Sequence, residues 1–140
     1  MTMPSAPVRP ISQLLERFRA AGLRPTRQRL ALARLLFQGD RHVAAEQLHA
    51  EALAANVRVS LATVYNTLHQ FTAAGLLREI VVSGGRSYFD TNVSDHHHFF
   101  FEDSGRLEDI PGHQVAIAAL PAPPSGTKVR RVDVIIRVGG

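Results

Sequence analysis

The chain has 140 residues, which is enough for one medium-sized domain or two small ones and too few for a large multidomain enzyme. Apolar residues make up 45% of it and aromatic residues 6%, so we expect a core built mainly from Ala, Leu and Val. The formal net charge is +4 and is uneven: Met1–Asp90 holds 11 Lys and Arg against 6 Asp and Glu, whereas Thr91–Gly140 holds 5 against 6. A polyanion such as nucleic acid would therefore meet the first part of the chain.

The sequence contains no cysteine, which excludes disulfides, cysteine-ligated zinc, iron–sulfur clusters and thiolate catalysis. Any bound metal must therefore be held by His, Asp and Glu. Met1–Pro10 lacks the apolar core of a signal peptide, and no run approaches the roughly 20 apolar residues of a membrane helix. We expect a cytoplasmic protein without a membrane partner.

Apolar spacing and turn residues predict four helices followed by a hairpin. Met1–Pro10, with three prolines, is expected to be a flexible arm. The helices are predicted over Ile11–Ala21, from the Thr26 cap to Gln38, from about Ala44 to Ala55 without a good side-chain cap, and from the Ser60 cap to Gly75. The hairpin strands are Leu76–Val82 and Ser87–Asp90 around the turn Ser83–Arg86. This order is typical of a winged helix.

The rest of the chain predicts a second, smaller unit. We expect strands at Asp95–Glu102 and Leu107–Ile110, a short helix at Gly112–Leu120, and a half-buried final strand whose inward residues are Val132, Val134, Ile136 and Val138. A sheet this small would be marginal alone and would gain by pairing with a copy, so we predict a homodimer. The predicted class is α+β: a flexible arm (1–10), an N-terminal winged-helix DNA-binding domain (11–90) and a small α/β dimerisation domain (91–140).

The fourth helix has the chemistry of a recognition helix. Leu61, Val64, Leu68 and Phe71 share its apolar side, and the residues expected to face base edges are Thr63, Tyr65, Asn66, Thr67 and Gln70. No acidic residue on the helix repels phosphates. Arg24, Arg27 and Arg29 are predicted to grip backbone phosphates, and Arg86 in the hairpin turn to touch the flanking groove. A solvated polar face is the alternative interpretation.

A histidine cluster, His96–His98, marks the second unit. Strand alternation places His96 and His98 on one face and His97 on the other, so two imidazoles converge as a metal site requires. His42, in the predicted loop before the third helix, and Asp90, at the end of the wing, can complete such a site. Clustered imidazoles repel one another when protonated and gain little from packing, which favours a ligand role.

These features together resemble the ferric uptake regulator (Fur) family of bacterial metal-responsive repressors. The segments that carry the resemblance are Gly22–Arg29, His42–Leu48, Leu61–Tyr65, Ala74–Leu76, Gly85–Asp90 and His96–His98. Within the family, Tyr65–Phe71 and His96–Phe100 are most similar to the iron response regulator (Irr) branch. The resemblance implies a dimeric regulator, not an enzyme, that binds a double-stranded DNA operator and controls iron and haem homeostasis in response to haem and iron status.

The resemblance also implies roles for individual residues. Arg24 would enter the minor groove and Tyr65 would contact bases. A divalent ion, Fe, Mn or Zn, would be held by His42, Asp90, His96 and His98, with Asp109 at a fifth position used by some members. Haem would contact His96, His97 and His98, and a protein that delivers haem would then be a partner.

Several positions depart from the family pattern. Phe101–Ser104 stands where most members carry a Cys-x-x-Cys pair, so the structural zinc of those members is not expected here. Asn66 replaces the arginine that is common after the tyrosine, which should shift base preference toward adenine. The cysteine-proline haem motif of some Irr proteins is missing, so haem would depend on histidine.

Three other functions stay open at this point. A Fur-type or peroxide-sensing repressor that responds to Fe or Mn would use the same His and Asp positions. A small metallohydrolase would need a general base, and no Glu stands at helical spacing from a His pair. A passive metal store would bind the ion without salt-sensitive DNA binding.

Overall fold

The computed structural model describes residues 11–140, so the predicted arm at Met1–Pro10 lies outside the described residues. The chain divides into two compact units, between Val93 and Ser94, whereas the sequence predicted a boundary after Asp90. Thr91 explains the later division, because its backbone N–H donates to the Arg41 carbonyl at 2.9 Å and its hydroxyl accepts from the Arg41 N–H at 2.9 Å. The segment after the wing is thus still hydrogen-bonded within the first unit.

Four helices build most of the first unit: α1 (Ile11–Ala20), α2 (Arg27–Leu36), α3 (Ala45–Ala54) and α4 (Leu61–Ala73). Their starts follow the predicted caps. Thr26 and Ser60 each accept a hydrogen bond, both 3.1 Å long, from the backbone N–H three residues on, whereas Ala44 offers α3 no side-chain cap. Helix α2 ends two residues before the predicted Gln38, because the N–H of Phe37 already closes the last turn on Ala33. Among the described residues, no helix combines the length and apolarity needed to cross a membrane.

The core of this unit is an apolar cluster to which every helix contributes. Phe71 of α4 is fully buried, with its ring 5.5 Å from that of Phe18 and 6.2 Å from that of Phe37. The guanidinium of Arg17 lies 4.6 Å from the centre of the Phe37 ring and covers the edge of the cluster. The side of α4 that carries Phe71 is therefore held against the other helices.

A three-stranded sheet completes the first unit, formed by β1 (His42–Val43), β2 (Arg78–Val81) and β3 (Ser87–Asp90) in the order β1-β3-β2. The hairpin of β2 and β3 was predicted. Strand β1 was not: the sequence placed His42 in a loop, but it pairs antiparallel with β3, opposite Asp90. A two-residue strand carries no periodicity, so only its partner reveals it.

The second unit is a sheet of β4 (His96–Phe101), β5 (Leu107–Pro111) and β6 (Ile135–Val138), in the order β5-β4-β6. The antiparallel β4–β5 pair and the final strand were predicted. β6 pairs parallel with β4, and Ile136, which was expected to face inward, is 39% exposed. The α+β class and the winged-helix order of the first unit are confirmed.

The predicted helix at Gly112–Leu120 is wrong. Only a single 3-10 turn forms, at Gly112–Gln114, and the chain then runs without regular structure to β6. Val115 is half-buried, and the residues from Ala116 to Leu120 are exposed. A short helix is marginal in water unless a face is buried, and Pro121 prevents its extension.

Replacing Phe71 with alanine should lower the free energy of unfolding of the first unit by about 3–5 kcal/mol, because it opens a cavity in the centre of the core. The matched control is Leu53→Ala on α3, whose side chain is 55% exposed, and which should stay within about 0.5 kcal/mol of the wild type. Denaturant unfolding followed by circular dichroism measures both. Equal losses in the two variants would contradict the placement of Phe71.

Candidate nucleic-acid interface and metal site

Helix α4 presents its polar side outward, with one exception. Asn66 and Gln70 are exposed, and Thr63 and Tyr65 are half-buried. The prediction that Thr67 faces outward is wrong, because only 5% of that residue is exposed. Thr67 stands three residues after Val64 and four before Phe71, which is the spacing of the buried stripe of a helix.

A polar groove of about 360 Å³ runs between the start of α2 and the outer side of α4. Six predicted DNA contacts line it together with two further residues, Thr26 and Gln28; the six are Arg24, Arg29, Thr63, Asn66, Thr67 and Gln70. Thr67 lines the groove with only a small part of its surface, because the residue is 5% exposed. The structure thus brings Arg24 and Arg29 together with the polar side of α4. Two predicted contacts lie outside this lining: Arg27, which is exposed, and Tyr65, which lines a different cavity.

Arg29 has partners that the sequence did not suggest. Its Nε and Nη2 donate to Gln70 Oε1 at 3.2 and 3.0 Å, and its Nη1 donates to the Arg24 carbonyl at 2.8 Å. The prediction that Arg29 grips a phosphate therefore does not describe its side chain in the free protein, since the guanidinium is directed at protein acceptors. Gln70 stands 41 residues away, so no local pattern announces this contact.

Tyr65 is held by a residue that the sequence analysis missed. Its hydroxyl donates to Glu46 Oε1 at 2.6 Å, and its ring stacks on His69 with centroids 6.4 Å apart. The hydrogen bond from Tyr65 lowers the pKa of the Glu46 carboxyl, and the same bond raises the pKa of the Tyr65 hydroxyl. Glu46 lies in the first turn of α3, where the helix dipole also favours a carboxylate.

A second cavity, of about 610 Å³, adjoins the wing. It is lined by Tyr65 and His69 of α4, by Ala44 and Glu46 at the start of α3, and by Glu79 and Gly85–Tyr88 of the hairpin. Gly84 and Gly85 turn the hairpin with φ of 77° and 73°, a conformation that favours glycine, and the side chain of Arg86 follows them exposed. Arg86 is thus at the tip of the wing, as predicted.

Two buried histidines of β4 converge on one carboxylate of β5. His96 and His98 are 5% and 2% exposed, and their ring centroids are 4.6 Å apart. Asp109 is the register partner of His98, and its Oδ1 lies 3.2 Å from His98 Nε2 and 3.7 Å from His96 Nε2. The three side chains each offer a ligand atom within 4.8 Å of the others.

The hydrogen bonding of His96 favours a ligand role for its Nε2. Its Nδ1 lies 2.6 Å from the Ser94 carbonyl oxygen, which can only accept, so in the neutral ring Nδ1 carries the proton. The lone pair is then on Nε2, on the side of Asp109. Electron-pair donors that converge in this way on a buried spot suit a cation. The residues present therefore fit a divalent ion.

Two other predicted ligands, His42 and Asp90, belong to the first unit, and His97 belongs to the second. His42 and Asp90 are paired across β1 and β3 in the first unit, where Asp90 is 1% exposed and accepts the Asn92 N–H at 2.9 Å. His97 is half-buried in the second unit, and its Nδ1 accepts the N–H of Val134 at 3.1 Å. His97 therefore helps to hold the chain before β6. It lies on the face of β4 opposite His96 and His98, as the alternation along the strand predicts.

Replacing Tyr65 with phenylalanine should raise the pKa of Glu46 back toward its ordinary value, because the main cause of the lowering is lost. The Tyr65–Glu46 bond adds stability above the unfolded-state pKa of Glu46 and loses it as the pH falls through the lower folded-state pKa. The stabilities of wild type and Tyr65→Phe should therefore converge in acid. NMR titration of the Glu46 carboxyl measures the shift, and Tyr88→Phe is the control that should leave it in place. An unchanged Glu46 titration in Tyr65→Phe would refute the contact.

Comparisons with known proteins agree with this arrangement. The model of the ferric uptake regulator family matches residues 20–135. The peroxide-responsive repressor PerR of Staphylococcus aureus (strain Mu50 / ATCC 700699) is 32% identical over 101 residues, which cover 71% of this chain and 68% of that protein. The Vibrio cholerae ferric uptake regulator superposes with a TM-score of 0.72 at 26% identity, over 89% of this chain and 98% of that one.

A further similar structure was solved with a metal ion. The ferric uptake regulator of Pseudomonas aeruginosa with manganese has a TM-score of 0.69 at 26% identity, over 90% of this chain and 96% of that one. The family model spans both units described above, the winged helix and the sheet that holds the paired histidines. The chain belongs to the ferric uptake regulator family.

Proposed function

We propose that this protein is a metal-responsive, DNA-binding transcriptional regulator. The observation that carries the proposal is the buried pair His96 and His98, directed at Asp109 in a chain whose first unit is a winged helix. Burying two imidazoles beside a carboxylate is costly unless a proton or a cation satisfies them. A chain that carries both such a site and a winged helix has the parts that a metal-dependent repressor needs.

The donor set indicates which ions suit the site. Two imidazole nitrogens and a carboxylate oxygen suit Mn, Fe and Zn, and the absence of thiolate disfavours Cu(I). When bound, the ion would supply positive charge and ligand bonds that tie β4 to β5. The relative from Pseudomonas aeruginosa is described with manganese, which makes Mn²⁺ the practical probe.

We include Asp90 and His42 in the proposed ligand set. The family resemblance implies both residues, and only five residues separate Asp90 from His96, so the chain allows at most about 22 Å between their Cα atoms. Ligands drawn from the two units would couple ion binding to DNA affinity, because an ion that binds one arrangement better shifts the protein toward it.

The first unit supplies the proposed DNA contacts. Arg24, Arg27 and Arg86 are exposed and positively charged, and Asn66 and Gln70 offer amides on a helix without acidic residues. Phosphate contacts of this kind position a protein on the duplex, and the amides read base edges. We further propose that the regulator binds as a homodimer, since the second unit is a three-stranded sheet whose outer strands, β5 and β6, each have one unpaired edge within the described residues.

The identity of the signal is a separate question. Haem at His96–His98 receives less support than a metal ion, because His96 and His98 are almost fully buried and a porphyrin needs an open face. The Irr branch thus rests on the two motifs Tyr65–Phe71 and His96–Phe100 alone. Peroxide sensing with the same ligands is the second candidate, and the 32% identity to a peroxide-responsive repressor favours it.

Replacing His98 with alanine or Asp109 with asparagine should weaken Mn²⁺ binding more than about tenfold, because even outer-shell partners of metal ligands contribute that much. His113→Ala is the matched control, since His113 is exposed in the same unit and should leave affinity unchanged. Isothermal titration calorimetry measures the affinity for Mn²⁺. A parallel haem titration should give no saturable Soret band that depends on His96–His98. Equal Mn²⁺ affinity in all variants would overturn the metal site.

DNA binding should be sensitive to salt and stronger with Mn²⁺ than without it. Arg24→Ala should weaken binding to all sequences and reduce the salt slope by about 1, whereas Tyr65→Ala should also relax base preference. Fluorescence anisotropy with duplexes selected from a random library measures both effects. Wild-type DNA affinity in both variants would count against a metal-responsive regulator. So would DNA binding that does not depend on Mn²⁺ or salt, and a passive metal store would then be the remaining interpretation.

A further inference from the structure

Gln70 is the exposed residue nearest the carboxyl end of α4 that can read a base. A carboxamide normally recognises adenine through both ends, accepting from N6 with its oxygen and donating to N7 with its nitrogen. Both ends must then be available to the DNA. In this structure the oxygen of the Gln70 carboxamide already accepts hydrogen bonds from Arg29.

The Gln70 oxygen is held from the side of α2. Two nitrogens of the Arg29 guanidinium, Nε and Nη2, donate to Gln70 Oε1 at 3.2 and 3.0 Å. The third, Nη1, donates to the Arg24 carbonyl at 2.8 Å, which anchors the guanidinium to the segment before α2. Arg29 is half-buried and Gln70 is exposed, so the contact lies at the protein surface.

These contacts settle which way the amide is turned. A guanidinium has only donors, so it binds the oxygen of a carboxamide and not its nitrogen. The Gln70 nitrogen is therefore on the side away from Arg29, and among the described residues it has no hydrogen-bond acceptor. Because Gln70 is exposed on the outer side of α4, the group left for a ligand is an N–H donor.

We propose that Arg29 is a specificity-determining positioning residue that makes Gln70 a donor-only reader of base edges. The inference rests on the DNA binding proposed above and deepens it. A donor-only side chain matches guanine best, since N7 and O6 are adjacent acceptors in the major groove, and it matches thymine O4 next. Adenine offers N7 beside a competing N6 donor, and cytosine offers only a donor. Gln70 therefore selects against adenine, which is the opposite of what an unrestrained glutamine would do.

The test is the base preference of the full-length, Mn²⁺-loaded protein, measured by selection from a random duplex library followed by sequencing. In the wild type, one position of the selected site should prefer guanine or thymine over adenine by about tenfold, and Gln70→Ala should abolish that preference. Arg29→Ala should shift the same position toward adenine, because the released amide can rotate. Arg29→Lys, which keeps the charge without the forked donors, should shift it likewise.

Arg27→Ala is the matched control. Arg27 lies on the same turn of α2, is exposed, and makes no hydrogen bond to Gln70 within the described part of the chain. Its loss should weaken binding to every sequence about equally. If Arg29→Ala also weakens binding uniformly and leaves the preference unchanged, Arg29 is a phosphate contact and the proposal fails.

A second measurement tests the contact without DNA. In the free protein, the Nε–H of Arg29 should give a slowly exchanging NMR signal that Gln70→Ala makes fast, while the signals of Arg27 stay unchanged. A slow Arg29 signal in a protein that selects no DNA sequence would refute the proposed function and leave the Arg29–Gln70 contact intact. A fast Arg29 signal in the wild type would overturn the contact itself.

Discussion

Burial of one side of α4 is the constraint on which the rest of the first unit depends. Val64, Leu68 and Phe71 are fully buried, and Phe71 packs between the rings of Phe18 and Phe37. A helix held on one side cannot rotate, so its other side is turned to solvent at a fixed angle. The α4 residues proposed to contact DNA therefore owe their general direction to this packing.

Side chains from neighbouring elements then refine that direction. Glu46 at the start of α3 accepts from the Tyr65 hydroxyl, and Arg29 of α2 donates to the Gln70 oxygen. Neither contact adds a group to those proposed to read DNA; each restricts the hydrogen bonds that Tyr65 or Gln70 can still make. Restricting a side chain before binding also lowers the conformational entropy lost on binding. Glu46 and Arg29, which lie outside α4, therefore restrict the conformations of Tyr65 and Gln70 before any DNA binds.

Strand geometry plays the corresponding role in the second unit. The period of two along β4 puts His96 and His98 on one face, and the antiparallel register places Asp109 opposite His98. Because His97 points the other way and accepts from Val134, the same strand both brings the proposed metal ligands together and holds the chain before β6. A one-residue slip of the register would exchange these roles.

The four helices, the hairpin and the alternation of the histidines could be predicted from the amino-acid sequence, because caps, turn glycines and apolar periods act over a few residues. The sequence could not show the burial of Thr67, which follows from how α4 meets its neighbours, or strand β1, which exists only through β3. It overstated a helix after Gly112, where no face is buried. The partners of Tyr65, Gln70 and the two histidines could be found only in the folded protein, because they lie 19, 41 and 11 to 13 residues away in the chain.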